Sequence, residues 1–262
     1  MNTYYKNKNA RLYQCDNLEL LNSLPDNYID LIYCDILYNT GKKFKYYDDN
    51  LGTSEEAMEW YKPRLIEMQR VLKDSGLIYI HCDWRLHPYI RIELDKLFNI
   101  NNFRNEIIWE YNSAPRKKKD FGKRHDIILR YSKTNEYYFN DQSQHIREPY
   151  SPTAPRGYEK ERYYNPLGKI VGDVWKINML GQNDKTERTG YDTQKPKKLL
   201  ERIVDSSSNK EDIVADFFMG SGTTGEVAIE LGRKFIGCDI NEKACEISKQ
   251  RIEKISVNYC LV

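Results

Sequence analysis

The stretch DIVADFFMGSGTTGEVAIEL, Asp212 to Leu231, sets a strand, a glycine turn and a helix end to end. Ile213 and Val214 are β-branched residues that suit a buried strand. Gly220, Gly222 and Gly225 then follow the spacing G-x-G-x-x-G. Such glycines permit a tight turn and let a ligand approach the backbone at a helix N-terminus. A unit of this kind needs neighbours like itself to bury both of its faces. It therefore points to strands alternating with helices, a mostly parallel sheet and helices on both faces.

The rest of the chain keeps that rhythm at both ends and loses it in the middle. A short strand pattern around Tyr13 ends near Asp16, and DNLELLNSLP reads as a capped helix stopped by Pro25. Ile29 to Cys34 is strand-like. Thr53 with Glu56 three residues on forms a capping box for a helix running to about Lys73. Gly76–Cys82, Glu106–Tyr111 and Ile127–Tyr131 read as strands, and Tyr89–Phe98 as a helix. From Thr134 to Asp192 no period is sustained. Order returns with the helix KPKKLLERIV, with Pro196 near its start, and after the glycine turn with strand KFIGCD and helix NEKACEISKQRIEKI.

Acids close three of these strands. Asp35 ends the second, with Tyr38 three residues beyond it, and the residues between are apolar Ile36 and Leu37. Asp216 lies before the glycines, and Asp239 ends the next strand at a distance suited to ribose hydroxyls. A carboxylate at position 216 would repel a pyrophosphate and attract an ammonium. That favours a nucleoside with a cationic amino-acid tail, such as S-adenosylmethionine, over a nicotinamide dinucleotide, the ligand of the rival oxidoreductase reading. In an open parallel sheet, ligands gather beyond the C-terminal strand ends, where all three acids are expected.

Composition narrows the setting. With 262 residues, 40% hydrophobic, the chain can bury a sizeable core. No apolar run approaches membrane-span length, and no secretion signal is visible at Met1-Asn2-Thr3-Tyr4, so a cytoplasmic protein is expected. The six cysteines form no C-x-x-C pair, which fits reduced thiols rather than zinc or disulfides. His81, His87, His125 and His145 have no metal-ligand spacing and read as loop or packing residues; no metal is expected. Net charge is +2, so the local run Arg116, Lys117, Lys118, Lys119, Lys123 and Arg124 is more informative than the total.

Three stretches together carry a resemblance: DLIYCDILYNTGKKF, TGYDTQKPKKLLERIV and DFFMGSGTT. In this order they resemble the catalytic, second cofactor-side and glycine-loop motifs of the β-class amino-group DNA methyltransferases, which modify adenine N6 or cytosine N4. Family members carry Asp-Pro-Pro-Tyr in the first motif, where this chain has Asp35-Ile36-Leu37-Tyr38. In the third, Phe217 replaces a proline.

The resemblance implies a Rossmann-like S-adenosylmethionine-dependent methyltransferase fold in permuted order. Residues 1–133 would form the catalytic half, 134–192 an inserted target-recognition lobe, and 193–262 the cofactor-binding half. It implies methyl transfer to the exocyclic amine of a base flipped out of double-stranded DNA. An acid in the first motif resembles the adenine branch, and serine there is usual for the cytosine branch. Asp35 and the Ile36 carbonyl would accept hydrogen bonds from the amine, and Tyr38 would stack on the base. Asp216, Phe217, Phe218, Gly220, Ser221, Gly222, Thr223, Asp239 and Lys195 would hold the cofactor. The basic run would contact phosphates, while Arg147, Arg156, Arg162, Arg188, Gln142, Gln144, Gln182 and Asn183 could read base edges. A restriction endonuclease would be a separate chain, because no nuclease motif is evident, and a homodimer is compatible with the family. Proline fixes φ, so losing two prolines predicts a looser catalytic turn, weaker catalysis, or a non-catalytic DNA-binding relative.

Overall fold

In the computed structural model, which describes residues 2–112, 118–150, 165–181 and 184–259, the chain opens with strands β1 (Asn2–Lys6) and β2 (Ala10–Gln14). There follow α1 (Asn17–Ser23), β3 (Ile29–Asp35), short strands β4 (Lys42–Lys43) and β5 (Asp48–Asp49), α2 (Ser54–Val71), β6 (Leu72–Cys82) and α3 (His87–Phe98). Next come β7 (Phe103–Glu110), β8 (His125–Ser132), and the short strands β9 (Arg147–Glu148), β10 (Lys169–Ile170) and β11 (Val174–Lys176). The chain closes with α4 (Lys197–Ser207), β12 (Ile213–Asp216), α5 (Thr223–Glu230), β13 (Lys234–Asp239) and α6 (Glu242–Tyr259).

One large sheet runs β1-β2-β13-β12-β3-β6-β8-β7-β11. The pairs β2–β13, β13–β12, β12–β3, β3–β6 and β7–β11 are parallel. The pairs β1–β2, β6–β8 and β7–β8 are antiparallel. Helices cover both faces, as the alternation in sequence requires. On one face Ile32 and Cys34 of β3 join Leu20 of α1, Leu65 of α2 and Leu94 of α3. On the other, Leu31 and Tyr33 join Leu200 of α4, Val227 of α5 and Ile252 of α6. The α/β architecture with a mostly parallel sheet is thus the one expected.

Local chemistry sets the element ends. Asp16 caps α1 by accepting from the Leu18 N–H, and the Thr53–Glu56 capping box opens α2. Helix α2 stops at Val71 rather than Lys73, because Leu72 is already paired with Ile29 across the sheet. Strand β1, absent from the sequence reading, buries only Tyr4 and Tyr5 in part and is held by its ladder to β2. Strand β11 likewise arises inside the aperiodic middle. Its three residues pair with Ile108, Trp109 and Glu110, with buried Trp175 opposite Trp109. The middle stretch is therefore bonded into the sheet edge, and Asn140 also donates its backbone N–H to the Ser206 carbonyl of α4.

The order β13-β12-β3-β6 has one consequence for function. From β12 the chain winds outward through α5 to β13, and from β3 it winds the other way through α2 to β6. The boundary between β12 and β3 is thus a topological switch point, where loops diverge and leave a crevice at the C-terminal strand ends.

Candidate active site

A cavity of about 310 Å³ fills that crevice. Asp35 from β3, Asp216 from β12 and Asp239 from β13 all line it. These strands carry their acids to one edge because they are parallel neighbours: Ala215 pairs with Ile32 and with Ile236.

The turn after β3 is firmly held. The Ile36 N–H donates to the His81 carbonyl at 3.1 Å, and the Tyr61 hydroxyl donates to the Leu37 carbonyl at 2.8 Å. The Ile36 side chain is buried in the core. These contacts correct the expectation of a loose turn. A proline at position 36 has no N–H to give, so this chain replaces ring stiffness with a backbone hydrogen bond.

Asp35 and Tyr38 meet as the sequence spacing suggested. The Tyr38 hydroxyl lies 2.9 Å from Asp35 Oδ1 and 3.2 Å from Asp126 Oδ2. The Lys195 ammonium contacts Asp35 Oδ2 directly. Lys195 also lies 5.5 Å from the centre of the Tyr38 ring. The residue expected on the cofactor side thus reaches the acid expected in catalysis.

The Asn-Thr-Gly continuation is shaped by Asp49, a buried acid absent from the sequence reading. Its carboxylate accepts from the Asn39 and Thr40 N–H groups, each at 3.0 Å, and from the Thr40 hydroxyl. Asn39 has φ of 54°, and its side chain bonds Leu51 N and Gly52 O. The β4–β5 hairpin so anchored brings Phe44, Tyr46 and Tyr47 to the cavity. Tyr46 stacks on Tyr191 at 5.4 Å, and the Tyr46 carbonyl accepts from Asn241 Nδ2.

In the glycine turn, Gly222 has φ of 73°, and a Cβ there would meet Ser248 Oγ of α6 at 2.5 Å. A Cβ on Gly225 would meet the Phe235 ring at 2.6 Å. These two glycines serve close packing. Gly220, Ser221 and Thr223 line the cavity, together with Phe217 and Phe218. The Gly220 N–H donates to Asp239 Oδ2 at 3.0 Å, and Asn241 N–H to Oδ1 at 2.8 Å. Asp216 accepts from Thr224 Oγ1 at 2.6 Å and Phe218 N–H at 3.0 Å. Burial pushes the Asp216 carboxyl up to about 7, with Asp35 and Asp239 adding repulsion; burial pushes Asp239 up to about 6.

The residues present fit a ligand with a cationic amino-acid tail and a nucleoside. The buried acids are desolvated and mutually repelling, which a positive charge relieves. The turn leaves the backbone near Gly220 and Ser221 at the cavity wall, opening helix α5.

Lys118, Lys119, Lys123 and Arg124 are exposed in the loop between β7 and β8 and do not line the cavity. Lys123 stacks over the Trp84 ring at 3.6 Å. Arg116 and Lys117 lie outside the described residues, as do Arg156, Arg162, Gln182 and Asn183. Sequence reasoning misses the place of His81 and Asp126 because it is visible only across strands: His81 is opposite Asp35, and Asp126 is at the start of an antiparallel strand. Asp83, just beyond the end of β6, is buried and held by Arg85 outside the cavity lining. Among the described residues, no His, Cys, Asp or Glu group is arranged to hold a metal ion.

A parallel α/β sheet with acids gathered around a glycine turn at its switch point defines the class of nucleoside-cofactor enzymes. The DNA methylase family model for N6 and N4 enzymes matches residues 29–250, and the chain belongs to that family. It is 33% identical over 267 residues to the DNA adenine methyltransferase YhdJ of Escherichia coli (strain K12), covering 97% of this chain and 86% of YhdJ. It is 35% identical over 248 residues to the type II methyltransferase M.HpaI of Haemophilus parainfluenzae, covering 91% of this chain and 73% of M.HpaI. Among solved structures, the fold resembles PvuII DNA methyltransferase (cytosine-N4-specific), with TM-score 0.73 and 19% identity over 95% of this chain and 88% of that one. It also resembles the M1.HpyAVI–SAM complex, with TM-score 0.58 and 24% identity over 92% and 99%.

The held turn and the buried acids each give an expectation. Ile36→Pro removes the bond to His81 and should destabilise the protein by about 1–3 kcal/mol, read by urea denaturation, rather than rigidify it. A gain in stability would show that the bond contributes little. For the acids, folded Asp216 binds its proton more tightly than the unfolded chain does. Its stabilising contribution is complete below the ordinary value of 3.8 and is lost as pH rises through about 7. Asp216→Asn cannot ionise, so its stability relative to wild type should rise between pH 5 and pH 8. Melting curves whose difference is flat across that range would contradict the buried-acid picture.

Proposed function

We propose that the chain is an S-adenosylmethionine-dependent, site-specific DNA methyltransferase acting on the exocyclic amine of adenine. The observation that carries this reading is that Asp35 and the glycine turn, on adjacent parallel strands, open on one cavity. The acidic Asp35 and the similarity to YhdJ support adenine. The similarity to the cytosine-N4-specific PvuII enzyme is one of fold and supports the cytosine-N4 alternative only at that level.

The bound cofactor supplies a sulfonium methyl, an electrophile strong enough to need no covalent enzyme intermediate. Gly220, Ser221, Asp216 and Asp239, which line the cavity, would hold it, Asp239 taking ribose hydroxyls and Asp216 the cationic end. An exocyclic amine is conjugated with its ring and is a weak nucleophile. Asp35 and the Ile36 carbonyl accept its N–H bonds and draw the nitrogen lone pair out of conjugation. As the amine takes up the methyl group, its nitrogen would release one proton, which Asp35, already accepting that N–H, would pass on to solvent. Tyr38 stacks on the flipped base, a contact worth about 1–3 kcal/mol. For this to happen Lys195, which contacts Asp35 Oδ2, must share that carboxylate with the amine.

Double-stranded DNA reaches the site along the exposed Lys118, Lys119, Lys123 and Arg124, whose loop runs into β8 at His125, the residue before Asp126. The residues from 134 to 192 select the target sequence.

Sequencing-based methylation mapping of DNA from cells expressing the chain tests activity, base and target together. N4-methylcytosine in place of N6-methyladenine would move the assignment to the other branch. Asp35→Ala should cost about 2.7–4 kcal/mol in the transition state while leaving DNA affinity within a few-fold. Near wild-type single-turnover rates would remove Asp35 from the mechanism. Neutralising Lys118, Lys119 and Lys123 together should weaken target and non-target duplexes alike. It should also flatten the salt dependence by about 0.9 for each phosphate that is no longer neutralised. An unchanged slope, measured by fluorescence anisotropy, would return these lysines to an ordinary solvated loop.

A further inference from the structure

Beneath the catalytic turn lies a closed set of polar contacts that the reaction above does not use. His81 is fully buried, with its ring edge-on to Trp109 at 5.3 Å. Its Nδ1 is 2.8 Å from the Tyr33 hydroxyl and 3.6 Å from Asp35 Oδ1. Its Nε2 makes no hydrogen bond and lies 3.6 Å from Asp126 Oδ2. The imidazole thus stands as a spacer between two carboxylates. Both carboxylates also face one phenol: the Tyr38 hydroxyl is within reach of Asp35 Oδ1 and Asp126 Oδ2. Tyr111 donates to the other oxygen of Asp126 at 3.1 Å.

A phenol carries one proton, so Tyr38 donates to one carboxylate at a time. When a substrate amine occupies Asp35, Asp126 offers the Tyr38 proton an acceptor with which the amine does not compete. Asp126 is 8% exposed and sits in β8, a strand braced on both sides by β6 and β7. Burial works to raise its carboxyl, but His81, Lys195 and Tyr111 outweigh burial and hold it below the usual carboxylate range, as a ready acceptor.

We propose that Asp126 is a positioning residue: by holding the Tyr38 hydroxyl it fixes the plane of the ring offered to the substrate base while Asp35 is engaged by the amine. His81 sets the separation of the two carboxylates that makes this hand-over possible. The role rests on the methyl-transfer reading, in which the base stacks on Tyr38. Asp126 touches neither base nor cofactor and acts through Tyr38.

The test combines a cycle and a spectrum. Asp126→Asn is nearly isosteric, and Tyr38→Phe keeps the ring without the hydroxyl. Each should slow single-turnover methyl transfer about 10- to 100-fold, with cofactor affinity by calorimetry unchanged. The double variant should be no slower than the slower single one, because Asp126 acts only through the hydroxyl that Tyr38→Phe removes. Multiplicative losses would overturn the proposal and leave Asp126 a structural residue. Independently, 3-fluorotyrosine at position 38 gives a fluorine resonance that should shift or broaden in Asp126→Asn. An unchanged resonance would overturn the clamp whether or not the protein transfers methyl groups. A wild-type chain that methylates no DNA but shows the shifted resonance would sink the functional reading and retain the contact between Asp126 and Tyr38.

Discussion

The pairing of β12 with β3 is the contact on which the site depends. Val214 lies opposite Leu31, although more than half of the chain separates them in sequence. The pair is locked at its far end as well: Asp30 accepts from the Ile213 N–H at 2.9 Å and from Lys73 at 2.6 Å. Shifting this register by one residue would turn every side chain of β12 to the other face, because the strand repeat is two. Asp216 would then leave the cavity that Asp35 opens on, and the catalytic and cofactor-side motifs would be strangers in one sheet.

Once that register is fixed, electrostatics shapes the cavity. Asp35, Asp216 and Asp239 converge there, and Asp126 stands close behind Tyr38. Water is largely excluded from Asp216, so its ionised form is costly in the free protein. Lys195 relieves Asp35 and adds a favourable field at Asp126. A cationic ligand would relieve Asp216 in the same way. Desolvated carboxylates of this kind would draw affinity for a positive charge from the cost of their own burial.

The missing prolines show how one mechanical requirement can be met by different chemistry. Asp-Ile-Leu-Tyr reads from sequence as a loosened turn, since the residues carry no intrinsic stiffness. In the fold, Ile36 is anchored by a backbone bond to β6 and by its buried side chain, and the Leu37 carbonyl by Tyr61 of α2. Both partners lie more than twenty residues away, and nothing local in the sequence announces them. Asp49 is nearer, 10 residues beyond Asn39, yet its carboxylate organises Asn39 and Thr40 only because a hairpin folds it back on them.

The sequence by itself determined the alternation of strands and helices, the capping box at Thr53, the glycine turn, and the placing of Asp35, Asp216 and Asp239 at strand ends. Those features rest on local periodicity, caps and turn chemistry, which are written over a few neighbouring residues. It did not reveal β1 or β11, whose hydrogen bonds go to other strands rather than to an apolar pattern of their own. Nor did it reveal that His81 stands between Asp35 and Asp126, or that Lys195 reaches Asp35. Only the tertiary structure decided these, because cross-strand register and side-chain reach join distant residues, Lys195 and Asp35 being 160 positions apart, and no short window of sequence contains both partners.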